Sequence, residues 1–542
     1  MPGYVSMNCS TCGMPRSQRA TSTMIASATI EIAVHHSTRR RRAFHQAAAR
    51  SGFVEVTTLD DSGAGWEREA DETVDAPSRT CFSGLVTHVV DADYLVVGAG
   101  AMGMAFTDAL IDHADEVRVA LIDRRHGVGG HWLEAYPFVR LHQASAFYGV
   151  ASTLLGNGNL QHRGPEAGLQ ERATKSEICA YFEHILTDRM LDSGRVEFYP
   201  GSEYVGDRTF VSRVSGERFT VPDRCRIVDA HYLAPRVPAE KPPPFDVADD
   251  ADVVPVNELA HLQEPPSRFV VVGSGKTATD ACVWLLARGV EPDAITWVRP
   301  REPWMLNRAV VQPDPAIFMG MVADTMQAAA ASSSLEDLFV RLEDAGVMLR
   351  IDRTVMPTMA KTPTLALWEL ERLRTVERVV RHGHIERVSR GRIHFADAAL
   401  TVPDDALVVH CAGEGLIYRP LVPIWGAEAI TLQPIRAGFP CFGAALAGYV
   451  EATRDDDDDR NRLCAPSPYP DSMAQWARMS AIGARNAKTF GSEPDIAAWA
   501  SRTALNPARI PPDYGSSPGL DDALARLQSH MGPGLERLAE LS

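Results

Sequence analysis

Apolar and polar positions divide the chain into an unpatterned start and a long patterned remainder. The first ninety residues are rich in Ser, Thr and Ala, carry a basic run from Arg39 to Arg42 and acids at Asp60 and Asp61, and sustain neither a strand nor a helix period. That composition predicts a loosely ordered extension over residues 1–90. Pattern begins sharply at Tyr94. Tyr94 to Val97 is a short apolar, β-branched run, as a buried parallel strand requires. A helix-period segment follows with Phe106, Ala109 and Leu110 on one side, and a second apolar run, Val117 to Ile122, ends on Asp123. The same unit recurs further along, as strand Phe269 to Val272, a helix containing Ala281, Trp284 and Leu285, and strand Ala294 to Val298. Beyond Asp471 the pattern is helical, with Trp476, Ile482, Trp499 and Leu505 as expected core positions.

In both units a glycine-rich loop joins the first strand to its helix. The first is Gly98-x-Gly100-x-x-Gly103. Its first glycine makes the tight turn, its second admits a pyrophosphate to the backbone, and its third lets helix pack on strand. The pyrophosphate then lies at the helix N-terminus, where amides point at it. Asp123 stands where a carboxylate accepts the hydroxyls of an adenosine ribose. The second loop is Gly273-Ser274-Gly275-Lys276-Thr277-Ala278. A P-loop is excluded because position 270 is Val270 rather than glycine. Arg299 replaces the acid at the end of the second unit, which favours the 2′-phosphate of NADP and so NADPH over NADH. The expected fold class is therefore α/β, with two Rossmann-like (three-layer ββα) dinucleotide-binding domains and C-terminal helices.

The segment after Asp123 reads Arg124-Arg125-His126-Gly127-Val128-Gly129-Gly130-His131-Trp132, followed by Tyr136-Pro137-Phe138-Val139-Arg140-Leu141-His142-Gln143. Together with the two glycine loops, it resembles the FAD domain of flavin-containing monooxygenases and other class B flavoprotein monooxygenases. The resemblance covers roughly residues 91 to 450 and marks a divergent member. It implies FAD at the first loop, contacted by Gly98, Gly100, Gly103, Asp123, Arg124, Gly130, His131, Trp132 and His142. NADPH is expected at the second, contacted by Gly273, Ser274, Gly275, Lys276, Thr277 and Arg299. Val228 to Tyr232 with Pro235, Pro238 and Pro242 to Pro244 resembles the crossing between domains in such enzymes, and Val408 to Gly413 resembles the return, with Gly413 at the cofactor. The implied division is 91–235 for the first part of the FAD domain, 236–403 for an inserted NAD(P) domain, and 404–542 for the second part of the FAD domain and the C-terminal helices. The implied reaction is monooxygenation of a small organic substrate by O2 through a peroxyflavin, with His131, His142 and Gln143 as candidate catalytic residues. The family's Phe-x-Gly-x-x-x-His signature is missing, its place taken by Val254 to His261. A dehydrogenase or reductase without oxygen insertion, and a flavin-binding sensor, stay open.

Composition narrows the partners. A net charge of −16 speaks against a general nucleic-acid binder. No segment reads as a membrane span. The nine cysteines are scattered and odd in number, which predicts free thiols in the cytoplasm. No cysteine lies between Asp123 and Cys179, which removes disulfide-reductase chemistry. No metal site is expected: Cys9 and Cys12 lack a second ligand pair, and Asp455 to Asp459 reads as a solvated loop. Substrate identity and oligomeric state have no readable motif.

Overall fold

The structure, a computed structural model, describes residues 87–413 and 415–542. The expectations for the first 86 residues, including Cys9, Cys12 and the Arg39–Arg42 run, lie outside the described residues. The order expected from Tyr94 onward starts earlier, because Thr87–Val89 is already a strand paired with Arg218–Thr220.

The first sheet is built from β1 (Tyr94–Val97), β2 (Val119–Asp123), β3 (Val196–Pro200) and β4 (Arg226–Asp229). β1 leads through the first glycine loop into helix α1 (Ala101–His113). All neighbours pair in parallel, and the sheet is completed at the β4 edge by the late strand Ile430–Thr431. Leu95, Val96 and Val97 are buried on both faces, which is why this run carries no polar alternation. One face packs on helices and the other on an antiparallel meander through Phe210 and Val221. Helix, sheet and meander give the expected three layers.

The second sheet repeats this plan. It consists of β5 (Val253–Pro255), β6 (Phe269–Val272), β7 (Ile295–Val298), β8 (Val379–Val380) and β9 (Leu407–His410), all parallel. Helix α2 (Lys276–Ala287) follows β6, and a meander around Ile393 and Phe395 covers the opposite face. The whole unit is inserted between β4 and Ile430–Thr431, which are neighbours in the first sheet.

Three expectations are corrected. The implied boundary at 404 comes too early: β9 pairs with β5 and β6 of the second sheet, so the crossing comes after His410, within the Val408–Gly413 stretch. The acidic run 455–459 is not a loop. Asp456 caps a helix, Asp457–Leu463, by accepting from the Asp459 amide, and the acids that follow complement the helix dipole. The last helices do not serve the first domain alone: Pro518–Glu540 packs on Pro315–Ala331 of the inserted segment, in a cluster that includes Trp304, Trp476 and Leu527. Trp476, Trp499 and Leu505 are buried as expected, while Ile482 is half-buried.

Helix α3 (Pro440–Thr453) closes the first domain against α1. At their contact a Cβ on Gly448 would lie 2.4 Å from the Phe106 carbonyl oxygen and 3.1 Å from the Ala109 Cβ. Gly448→Ala must push the helices apart and should cost about 1–3 kcal/mol by overpacking. Urea denaturation checks this, and an unchanged midpoint would contradict the contact.

Candidate active site

The first glycine loop is shaped by close backbone approach. Gly98 has φ +109°, and a Cβ on Gly103 would fall 1.9 Å from the Gly98 carbonyl oxygen, so neither position tolerates a side chain. Gly129 and Gly130 fold back onto this loop. The Gly129 amide donates to the Ala99 carbonyl at 2.9 Å, and a Cβ on Gly130 would lie 3.0 Å from the Gly100 Cα. Asp123 is 5% exposed and braces the arrangement: its carboxylate accepts from the Ala99 amide at 2.8 Å and the Arg125 amide at 2.9 Å. Arg124 is exposed and pairs with Glu240 of the inter-domain linker at 2.7 Å, a carboxylate it shares with Arg125. Gly413 stands at the crossing, where a Cβ would meet the Arg236 carbonyl at 3.2 Å.

The three candidate catalytic residues occupy different surroundings. His131 follows Gly130 at the first loop and leans on Trp132, whose Nε1 donates to the Tyr148 hydroxyl at 2.6 Å. Burial, helped by Arg125, lowers the His131 pKa to about 4. His142 lies at the second loop instead. Burial, then Lys276 and Arg308, lowers its pKa to about 3. Both imidazoles are therefore neutral at pH 7. Gln143 is 8% exposed, and its Nε2 turns to the Phe147 carbonyl at 3.5 Å.

The second loop meets the first domain through α2. Lys276 pairs with Asp280 one turn on, and Asp280 also accepts from the Tyr136 hydroxyl at 2.7 Å. Arg299 ends β7 as expected, but it is not a solvent-facing cation. It is 2% exposed, sits 4.6 Å over the Trp297 ring, and approaches Glu302 at 3.3 Å. Trp297 in turn donates to the Gly273 carbonyl at 2.8 Å, so Arg299 lies beneath the loop. Ser274 Oγ, His410 Nδ1 and Arg299 Nε and Nη1 are buried without a hydrogen-bond partner. All three residues stand at the carboxyl edge of the second sheet.

A group that sequence reading missed joins the domains. Arg308, 1% exposed, donates through Nη1 to Glu166 at 2.6 Å, through Nη2 to Glu369 at 2.7 Å, and through Nε to the His142 carbonyl at 2.9 Å. Arg172 binds Glu166 at 2.5 Å and the Leu141 carbonyl at 2.9 Å. Burial alone would raise the Glu166 pKa, but Arg172 and then Arg308 outweigh it and bring it down to about 2. The sequence signal was faint: Glu166 and Arg172 lie six residues apart, but Arg308 and Glu369 are distant in the chain, and none stands in a motif.

Two outcomes follow. Arg308→Met leaves two buried carboxylates with one arginine and should destabilise the protein by about 3–5 kcal/mol at pH 7, read by denaturant unfolding. For His142, the unfolded chain takes up a proton near 6.5 but the folded chain only near 3. The unfolded state therefore holds more protons between these values, and stability must fall as pH drops from about 6.5 toward 3. His142→Gln should flatten the decline of thermal midpoint over that window. A variant that declines in parallel with the parent would show that His142 is not its source.

No protein-family model matches the chain. Among solved structures, cyclohexanone monooxygenase from Rhodococcus sp. Phi1 bound to NADP+ is 15% identical, with 83% of this chain aligned to 98% of that one at a TM-score of 0.42. The bacillithiol disulfide reductase Bdr from Bacillus cereus is 14% identical, with 60% of this chain aligned to 78% of that one at a TM-score of 0.35. The uncharacterized protein Rv2000 of Mycobacterium tuberculosis is 41% identical over 457 residues, covering 83% of this chain and 84% of the relative. The uncharacterized protein Mb2023 of Mycobacterium bovis matches with the same identity and coverage. The chain belongs to one family with these mycobacterial proteins.

Proposed function

We propose that the protein is an FAD-dependent oxidoreductase that uses NADPH, related to the flavin-containing monooxygenases, and that it oxygenates a small organic substrate with O2. The observation that carries this reading is the nesting of two complete strand–glycine loop–helix–strand units, each at the carboxyl edge of a parallel sheet, where nucleotides bind in such folds. The residues present fit both cofactors. At the first loop, Gly100 and Gly130 leave only backbone where a pyrophosphate must come close, and α1 turns its N-terminus to it. At the second, Ser274 and Arg299 hold buried donors without partners.

A bound flavin supplies hydride acceptance and reactivity toward oxygen. The chain's own contribution is to hold and shield. Asp123 keeps the first loop closed through the Ala99 amide and retains lone pairs for ribose hydroxyls. Because His131 and His142 are neutral, each acts as a hydrogen-bond donor or acceptor and not as a fixed cation. Among the described residues no helix is long and apolar enough to cross a membrane, and no group of three or more His, Cys, Asp or Glu is placed to hold a metal ion. The described cysteines are free thiols, and Cys282, Cys411, Cys441 and Cys464 are buried with pKa values raised by burial, which leaves them poor nucleophiles.

Anaerobic titration tests the reading. The purified protein should carry a yellow chromophore that NADPH bleaches, and bleaching by neither NADPH nor NADH would overturn it. Reoxidation in air then separates the two chemistries. Two resolved absorbance phases support oxygen insertion, and a single-phase return to the oxidised spectrum favours a dehydrogenase or reductase.

A further inference from the structure

We propose that Arg381 joins Arg299 in a two-arginine receptor for an adenosine 2′-phosphate, and that Glu302 is the built-in counter-ion which that phosphate displaces. This rests on the reading of the second loop as a nicotinamide nucleotide site.

Strand register brings the two cations together. β7 and β8 pair in parallel, Trp297 with Val379 and Val298 with Val380. One residue further along, each strand ends on an arginine, and the Arg299 amide donates to the Val380 carbonyl at 2.9 Å. Two guanidiniums therefore leave adjacent strands at the same carboxyl edge, about 4.8 Å apart at the backbone. No spacing in the sequence announces this, since the two positions are far apart in the chain.

Both guanidiniums reach for one oxygen. Arg381 Nε lies 2.6 Å from Glu302 Oε1, and Arg299 Nη2 lies 3.3 Å from the same atom. Arg381 is further held by Asp352 at 2.7 Å. The grip on Arg299 is the looser one. With Nε and Nη1 unpartnered and the side chain 2% exposed, Arg299 is a buried cation that keeps donors unmade. Such donors are costly to leave unsatisfied. One carboxylate oxygen cannot serve them all. A phosphate dianion has three terminal oxygens and matches the planar fork of each arginine. Position selects the 2′-phosphate over the pyrophosphate. Arg299 lies at the end of the second strand, where the first unit places Asp123, and that strand end is the ribose position in folds of this kind. Arg381 has a side chain 35% exposed, so a ligand at the sheet edge can reach it.

Glu302 makes the receptor selective. Without a 2′-phosphate it neutralises both arginines and can accept ribose hydroxyls. With one, it is repelled and must swing away, so the phosphate competes against it.

The test uses the full chain and calorimetric titration with two probes, 2′,5′-ADP and 5′-AMP. Arg381→Ala should weaken 2′,5′-ADP binding by about tenfold or more, as the loss of a charge-assisted hydrogen bond does, and leave 5′-AMP unchanged. Glu302→Gln should tighten 2′,5′-ADP and widen its margin over 5′-AMP. Thermal melts confirm that each variant folds. Arg381→Lys, which keeps the charge but loses the fork, carries the same test with a smaller loss should the alanine variant be unstable. Wild-type protein that binds both probes, with Arg381→Ala weakening both equally or neither, overturns the receptor but leaves the nucleotide site standing. Wild-type protein that binds neither probe overturns the nucleotide site and the receptor with it.

Discussion

The four buried charges of Arg172, Glu166, Arg308 and Glu369 tie the segment after the first glycine loop to the segment inserted between β4 and Ile430–Thr431. Glu166 and Arg172 belong to the first domain, and Arg308 and Glu369 to the inserted one. Desolvating four ions costs many kcal/mol, and that cost is offset only while each stays beside its partners. Domains joined by a flexible crossing ordinarily move against each other. Here a rotation would strip Arg308 of Glu166 and expose charge to an apolar interior. The same side chains reach the backbone between the sites, because Arg172 holds the Leu141 carbonyl and Arg308 the His142 carbonyl. Successive peptide groups beside the second loop are thus clamped from both domains, and Tyr136 adds a third tie through Asp280.

Features set by short-range chemistry were legible in the sequence. The strands at Tyr94 and Phe269 are apolar because parallel sheets bury both faces, and the loops are glycine because backbone oxygens stand within 2 Å of where a Cβ would be at Gly103. The pairing of Gly130 with Gly100 was not legible, since nothing in the spacing states that one glycine pair folds onto another. Features set by long-range pairing were not legible. Arg308 and Glu166 meet across 142 positions of chain, and Arg381 stands beside Arg299 only through strand register. The strand Leu407–His410 reads equally well as belonging to either sheet, and its hydrogen bonds alone assign it to the second. The run of aspartates at 455–459 looked like a solvated loop because like charges repel. In the fold, Arg226 and Arg460 neutralise Asp457, and the helix start accepts the remaining acids.

The two strand–glycine loop–helix units share one topology and differ in how their strand-end charge is used. In the first, each carboxylate oxygen of Asp123 accepts from an amide of its own chain, so the loop is braced from within while lone pairs stay open. In the second, Arg299 is as deeply buried, yet two of its nitrogens and the neighbouring Ser274 hydroxyl have no partner. An unmade buried donor destabilises the fold by about 1–3 kcal/mol. That destabilisation is relieved when an acceptor arrives, so it strengthens binding by a similar amount. Interactions satisfied within the chain contribute to folding, and those left open contribute to recognition. Under the proposed reading, the first loop is then a preformed cradle for an adenosine diphosphate, and the second loop carries the discrimination. The structure withholds stability at the second loop, which is where the proposed reading requires two nicotinamide nucleotides, differing by one phosphate, to be told apart.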